Sequence, residues 1–124
     1  MTELLLKRES YQIIGLCMEV HRVLGRVLDE VVYKDALAHE FQENGISFAR
    51  EQKFEIRYKS IVLPHSYFAD FVVFGQIILE VKAVQGLGPS HIKQTLNYLA
   101  ASRLPLGLLV NFGESSLKHQ RVVL

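Results

Sequence analysis

The stretch Tyr67-Phe68-Ala69-Asp70-Phe71-Val72-Val73-Phe74-Gly75-Gln76-Ile77-Ile78-Leu79-Glu80-Val81-Lys82 decides the fold. Tyr67 to Phe74 and Ile77 to Val81 are rich in β-branched and aromatic residues, which suit a pleated, half-buried surface. Gly75-Gln76 between them supplies turn chemistry, so the two runs read as a hairpin. Asp70, Glu80 and Lys82 interrupt these otherwise apolar strands. Unpaired charges in a sheet core are costly, so these either reach solvent at an edge or neutralise one another around an ion. Glu80 and Lys82 are two apart in a strand and point the same way. Asp70 joins them in one register only. A two-residue loop at Gly75-Gln76 sets Asp70 opposite Val81, on the wrong side. A three-residue loop at Phe74-Gly75-Gln76 pairs Val73 with Ile77 and sets Asp70 opposite Glu80. The cluster therefore requires an odd loop or a bulge, and Gly75 permits either.

Working outward, Phe54, Ile56 and Tyr58 alternate with Glu55, Arg57 and Lys59, the pattern of a strand with one wet face. Residues 61–63 continue the sheet after a turn near Lys59-Ser60, and Pro64-His65-Ser66 reads as a loop. Two helical patterns come first. One covers residues 10–24, with Ser10 as N-cap and Gly25 as its stop. The other carries Leu28, Val31, Val32, Leu37 and Phe41 and ends at Asn44-Gly45, where Gly45 can turn left-handed. After the hairpin, Gly86, Gly88 and Pro89 mark a loop, and Ser90 can cap a helix over about residues 90–102. Leu106 to Val110 is a nearly continuous apolar run, which suits a strand covered on both faces. Arg121-Val122-Val123-Leu124 suits a short edge strand. The expected fold is α/β, one domain over residues 1–124.

Bulk properties narrow the function. Hydrophobic residues at 49% and charged residues at 22% describe a globular chain rather than a disordered one. The net charge of +1 excludes strong non-specific DNA binding driven by bulk charge, but not a local basic groove. The single cysteine, Cys17, lies in an apolar run and permits no intramolecular disulfide, which points to core packing in a reducing compartment. No apolar stretch reaches the ~20 residues of a membrane span. Met1 to Arg8 lacks the order of a secretion signal, so the expected location is cytoplasmic.

Two carboxylates on adjacent strands suit Mg²⁺, and the backbone carbonyl of Val81 is a third candidate ligand. Lys82 would then position the attacking water or stabilise it as hydroxide. The plain alternative is a Glu-x-Lys pair on a solvated strand face, which is common. Gln94 and Tyr98 are spaced i, i+4 on one helix face and can hold Lys82 or a phosphate, or form an ordinary surface pair. Glu30 and Tyr33 also share a face. Glu30 reads either as a water-mediated metal ligand or acid–base group, or as a favourable charge at a helix N-terminus. His21 sits on the stripe of Cys17 and Leu24 and reads as a packed histidine or a metal ligand. The other histidines follow no ligand spacing.

With these residues assembled, the chain resembles the small bacterial GxxExxY proteins of the PD-(D/E)XK nuclease superfamily, near its RecB-like branch. The likeness rests on Glu19-Val20-His21, Leu24-Gly25, Glu30-x-x-Tyr33, Ala69-Asp70, Glu80-Val81-Lys82 and Gln94-x-x-x-Tyr98. It continues through Leu106-Gly107-Leu108-Leu109-Val110-Asn111-Phe112-Gly113 and the Arg-Val-Val-Leu ending. One departure stands out: Val27 occupies the position of the motif's Gly, and Arg26 that of the Pro before it. The resemblance implies a restriction-endonuclease-like core, a central mixed sheet flanked by helices in the order α-β-β-β-α-β, with an extra N-terminal helix. It further implies catalysis by Asp70, Glu80 and Lys82, an acidic contribution from Glu30, and support from Gln94 and Tyr98.

The expected activity is Mg²⁺-dependent hydrolysis of phosphodiester bonds, in DNA, with Mn²⁺ able to substitute. Lys93, Arg103 and Lys118 are candidate phosphate contacts, though scattered. Any sequence preference would come from a homodimer or a protein partner. A second expectation, from another class, is a catalytically silent nuclease-fold protein that binds nucleic acid or a protein. A third is a divalent ion bound for stability alone. A dinucleotide-binding fold is disfavoured because no Gly-rich strand-to-helix turn is present.

Overall fold

The computed structural model describes residues 5–124, so the reading of the first four residues as no secretion signal lies outside the described part. Eight elements follow in order: α1 (Lys7–Leu24), α2 (Glu30–Glu43), β1 (Phe48–Tyr58), β2 (Ile61–Val73), β3 (Ile77–Lys82), α3 (Pro89–Ser102), β4 (Leu106–Asn111) and β5 (Lys118–Val122). The strands form one mixed sheet in the order β1-β2-β3-β4-β5. β1/β2, β2/β3 and β4/β5 are antiparallel, while β3 and β4, joined through α3, are parallel. This is the α-β-β-β-α-β core with an extra N-terminal helix and an added edge strand.

The helices cover the two faces separately. Ile13, Cys17 and Val20 of α1 and Tyr33, Leu37 and Phe41 of α2 pack on Phe71, Val73, Leu79, Val81, Leu108 and Val110. Tyr98 and Leu99 of α3 pack on Val72, Ile78 and Val122 from the other side. β4 is buried along its whole length, as its continuous apolar run requires.

Several boundaries differ from the sequence expectation. α1 begins at Lys7 after Leu6, so Ser10 is not its cap. Ser10 lies in the first turn, donating to the Lys7 carbonyl and accepting from Arg121 Nη1. On α2 the buried stripe is Tyr33, Leu37 and Phe41, whereas Leu28 and Val31 are exposed. Gly88 rather than Ser90 precedes α3, and Pro89 takes the first helical position, where its missing N–H costs nothing. The expected loop at Pro64-His65-Ser66 is strand instead. β2 runs through it because the register slips between Glu55↔Ser66 and Arg57↔Val62, leaving Leu63, Pro64 and His65 opposite Ile56 in a bulge, which tolerates proline. The edge strand β5 begins at Lys118, three residues earlier than expected, and stops at Val122.

Candidate active site

The hairpin adopts the register that the cluster needs. Val73 pairs with Ile77, Val72 with Ile78 and Phe71 with Leu79, so three residues form the loop. Phe74 and Gly75 both turn left-handed, at φ 57° and 67°. Continued by one residue, this register sets Asp70 opposite Glu80.

There the backbone ladder gives way to side chains. The Asp70 N–H donates to Glu80 Oε2 at 2.8 Å, and the Val81 N–H donates to Asp70 Oδ2 at 2.8 Å. The pleat also reverses at this point: Phe71 and Val73 face α1 and α2, but Ala69 and Tyr67 pack toward α3. On the far side of β2, Glu51 holds φ 54° within β1, a conformation that costs a non-glycine residue roughly 1–2 kcal/mol. Both neighbours of Asp70 thus depart from regular strand geometry, and its carboxylate lies within reach of Lys34 on α2.

The cluster is buried. Asp70 is 8% exposed and Glu80 2%. Burial, and then the nearby Asp70 charge, push the Glu80 carboxyl up to about 8, with the Lys82 and Lys34 cations acting the other way. Lys82 Nζ donates to Gln94 Oε1 at 2.8 Å, so the amide on α3 fixes the lysine on β3. Tyr98, one turn on, is buried against Tyr67, edge to face at 5.7 Å. Burial and the Glu80 and Asp70 charges raise its hydroxyl to about 12. Glu30 opens α2, half-buried; burial raises its carboxyl, and so does Asp70, which places it in the same field.

Tyr33 anchors the turn before Glu30. Its hydroxyl donates to the Gly25 carbonyl at 2.6 Å and accepts from the Leu28 N–H at 3.2 Å. Val27, in the turn before α2, is 85% exposed and points into solvent.

His21 is engaged elsewhere. Its Nε2 lies 2.9 Å from the Glu114 carbonyl, which requires that nitrogen to donate, and its ring lies beside Phe112. The packed alternative is the one observed, and His21 is not brought to the carboxylates. Of the candidate phosphate contacts, Arg103 shares a concavity with Arg57 between β1 and α3, whereas Lys118 lies on the opposite edge strand.

Two largely buried polar residues near the cluster had no role assigned by the sequence reading. Lys34, with a side chain only 12% exposed, places Nζ 3.2 Å from Asp70 Oδ1, 2.9 Å from Glu51 Oε1 and 3.9 Å from Glu30 Oε2. Its i, i+4 spacing from Glu30 was the available signal. Asn111, fully buried, accepts the N–H groups of Val84 and Gly113 and donates to the Val84 carbonyl and Glu114 Oε2. It ties the chain beyond Lys82 to the end of β4.

A mixed sheet with helices on both faces is consistent with the PD-(D/E)XK nuclease fold. The chain belongs to the PD-(D/E)XK nuclease superfamily, which it matches over residues 7–122. Among solved structures it resembles the protein SSO0001, at 18% identity and a TM-score of 0.59, over 74% of this chain and 48% of that one. It thus spans about half the length of SSO0001. It also resembles an alkaline exonuclease from Laribacter hongkongensis, at 14% identity and a TM-score of 0.54, over 99% of this chain and 72% of that one. These likenesses are of fold. A search of the curated proteins finds no match.

Proposed function

We propose that the chain is a divalent-metal-dependent phosphodiesterase acting on nucleic acid, DNA first among substrates, at the cluster of Asp70, Glu80 and Lys82. The carrying observation is the pair of buried carboxylates, Asp70 and Glu80, held side by side by the Asp70 N–H donating to Glu80 Oε2; burial first, and then repulsion from Asp70, raise the Glu80 carboxyl to about 8. A cation between them relieves that repulsion. Membership of the superfamily supports the same reading.

The donor chemistry fits magnesium. Among the described residues no three His, Cys, Asp or Glu side chains converge on one point. The protein donors are therefore two carboxylates and one carbonyl. The Val81 N–H points at Asp70, and in a strand a residue's C=O shares the edge of its own N–H, so the Val81 carbonyl faces the same place. An all-oxygen set with few protein ligands suits Mg²⁺, which keeps several waters, and Mn²⁺ can replace it. When bound, such an ion neutralises charge on the phosphate and acidifies a bound water.

The remaining work falls to the chain. Lys82, steadied by Gln94, orients the attacking water and stabilises it as hydroxide. Tyr98 stays protonated to about 12 and offers its hydroxyl to a phosphate oxygen. Glu30, with its raised carboxyl, serves as an acid–base group or holds a metal-bound water.

Cleavage of end-labelled DNA in Mg²⁺ and in Mn²⁺ tests the reading. Wild type cuts, and Lys82→Ala slows cutting by about 10²-fold or more, the scale on which a positioned proton-transfer group contributes. Identical behaviour of the two proteins across single- and double-stranded substrates removes the enzyme reading and leaves a binding module.

A further inference from the structure

Resting on the metal-site reading above, we infer that Lys34 is a further member of that site, a tethered cation that holds Asp70 until a divalent ion takes its place. Both Asp70 oxygens are already engaged, Oδ2 by the Val81 N–H and Oδ1 by the Lys34 ammonium at 3.2 Å. An ion ligated by Asp70 must therefore share or displace the ammonium. The chain offers it somewhere to go. Glu51 Oε1 is 2.9 Å from the same Nζ, on a side chain that is 51% exposed.

The backbone favours this arrangement. Glu51 is a left-handed residue inside a strand, and it pairs its carboxylate with Lys34 from that position. Lys34 is thus shared between a buried carboxylate that belongs to the metal site and a half-exposed one that does not. Its ammonium carries three donors, enough to bridge both now and to keep Glu51 alone later. The arrangement makes two cations compete for one carboxylate oxygen, so Lys34 sets how tightly the metal binds, and the metal sets where Lys34 lies. Glu30 Oε2, 3.9 Å away, adds a weaker third anchor on the same helix face.

The test uses the full chain and Mn²⁺ alone. Calorimetric titration compares wild type, Lys34→Met and Asp70→Asn, and a second measurement follows reductive methylation of each lysine in wild type with and without saturating Mn²⁺. Lys34→Met is expected to tighten Mn²⁺ binding about tenfold, within the usual range for coupled ligands. Asp70→Asn abolishes it. In wild type, Mn²⁺ raises methylation of Lys34 severalfold while Lys93 on α3 stays unchanged. Asp70-dependent binding that Lys34→Met leaves unchanged or weakens overturns the role of Lys34 and spares the metal site. No Mn²⁺ binding by wild type or by Lys34→Met overturns the metal site and this inference together. If Lys34→Met does not fold, the methylation pattern decides, and an unchanged Lys34 contradicts the inference.

Discussion

At the scale of single residues, burial and then mutual repulsion govern the carboxyls of the cluster. The Glu80 carboxyl, raised from an ordinary 4.5 to about 8, binds its proton more tightly in the folded protein than in the unfolded chain. Its contribution to metal-free stability is therefore fully present below pH 4.5 and is lost as pH rises toward 8. Glu30, also raised, acts with the same sign. Thermal melts of metal-free protein across that range should show the decline, and Glu80→Gln should flatten it, because an amide oxygen still accepts the Asp70 N–H. A wild-type curve that rises over the same interval contradicts the assignment. Cys17 behaves in the opposite spirit to a catalytic thiol: it is fully buried and burial pushes its thiol up, so thiol reagents should leave the native protein unlabelled.

At the scale of elements, the hairpin loop sets the register and two glycines test it. Gly75, at φ 67°, has open space where a Cβ would lie, so Gly75→Ala pays only for the left-handed backbone, roughly 1–2 kcal/mol. Gly113 lies against the backbone of Ala83 and Val84, and an added Cβ there overlaps the Val84 carbonyl oxygen. Gly113→Ala should therefore destabilise more than Gly75→Ala by denaturant titration, and it should loosen the chain just beyond Lys82. The elements themselves were legible where one period dominates. β3, β4 and the second half of β2 announce themselves by largely apolar runs of strand length, and the odd loop follows from requiring Asp70 beside Glu80. The first half of β1 was hidden, because Arg50-Glu51-Gln52-Lys53 carries charge on both faces of a strand that is paired along one edge of the sheet only. Pro64 disguised β2 as a loop, since the bulge that accommodates it depends on the register with β1. Ser10 and Ser90 misled as caps because local capping preference competes with longer contacts, such as that of Arg121 with Ser10.

At the scale of the molecule, the site depends on packing between layers. Phe112 stacks on Tyr33 at 4.5 Å, and Tyr33 is one turn from Glu30 and adjacent to Lys34. Phe112→Ala should cost about 3–5 kcal/mol of stability, and repacking of Tyr33 should carry over into metal affinity. Sequence spacing revealed the residues that share one element, such as Glu80 with Lys82 and Gln94 with Tyr98. The spacing of Lys34 from Glu30 could flag that pair alone, because the contacts of Lys34 with Asp70 and Glu51 form only after α2 docks on the sheet. Among the described residues, no helix is long and apolar enough to cross a membrane. The most direct test of the metal-centred account is a crystal of the full chain soaked in Mn²⁺ and measured at the manganese edge. The account predicts one anomalous peak between the carboxylates of Asp70 and Glu80, beside the Val81 carbonyl, and its loss in Asp70→Asn. An empty cleft at saturating Mn²⁺, or a peak elsewhere, contradicts it.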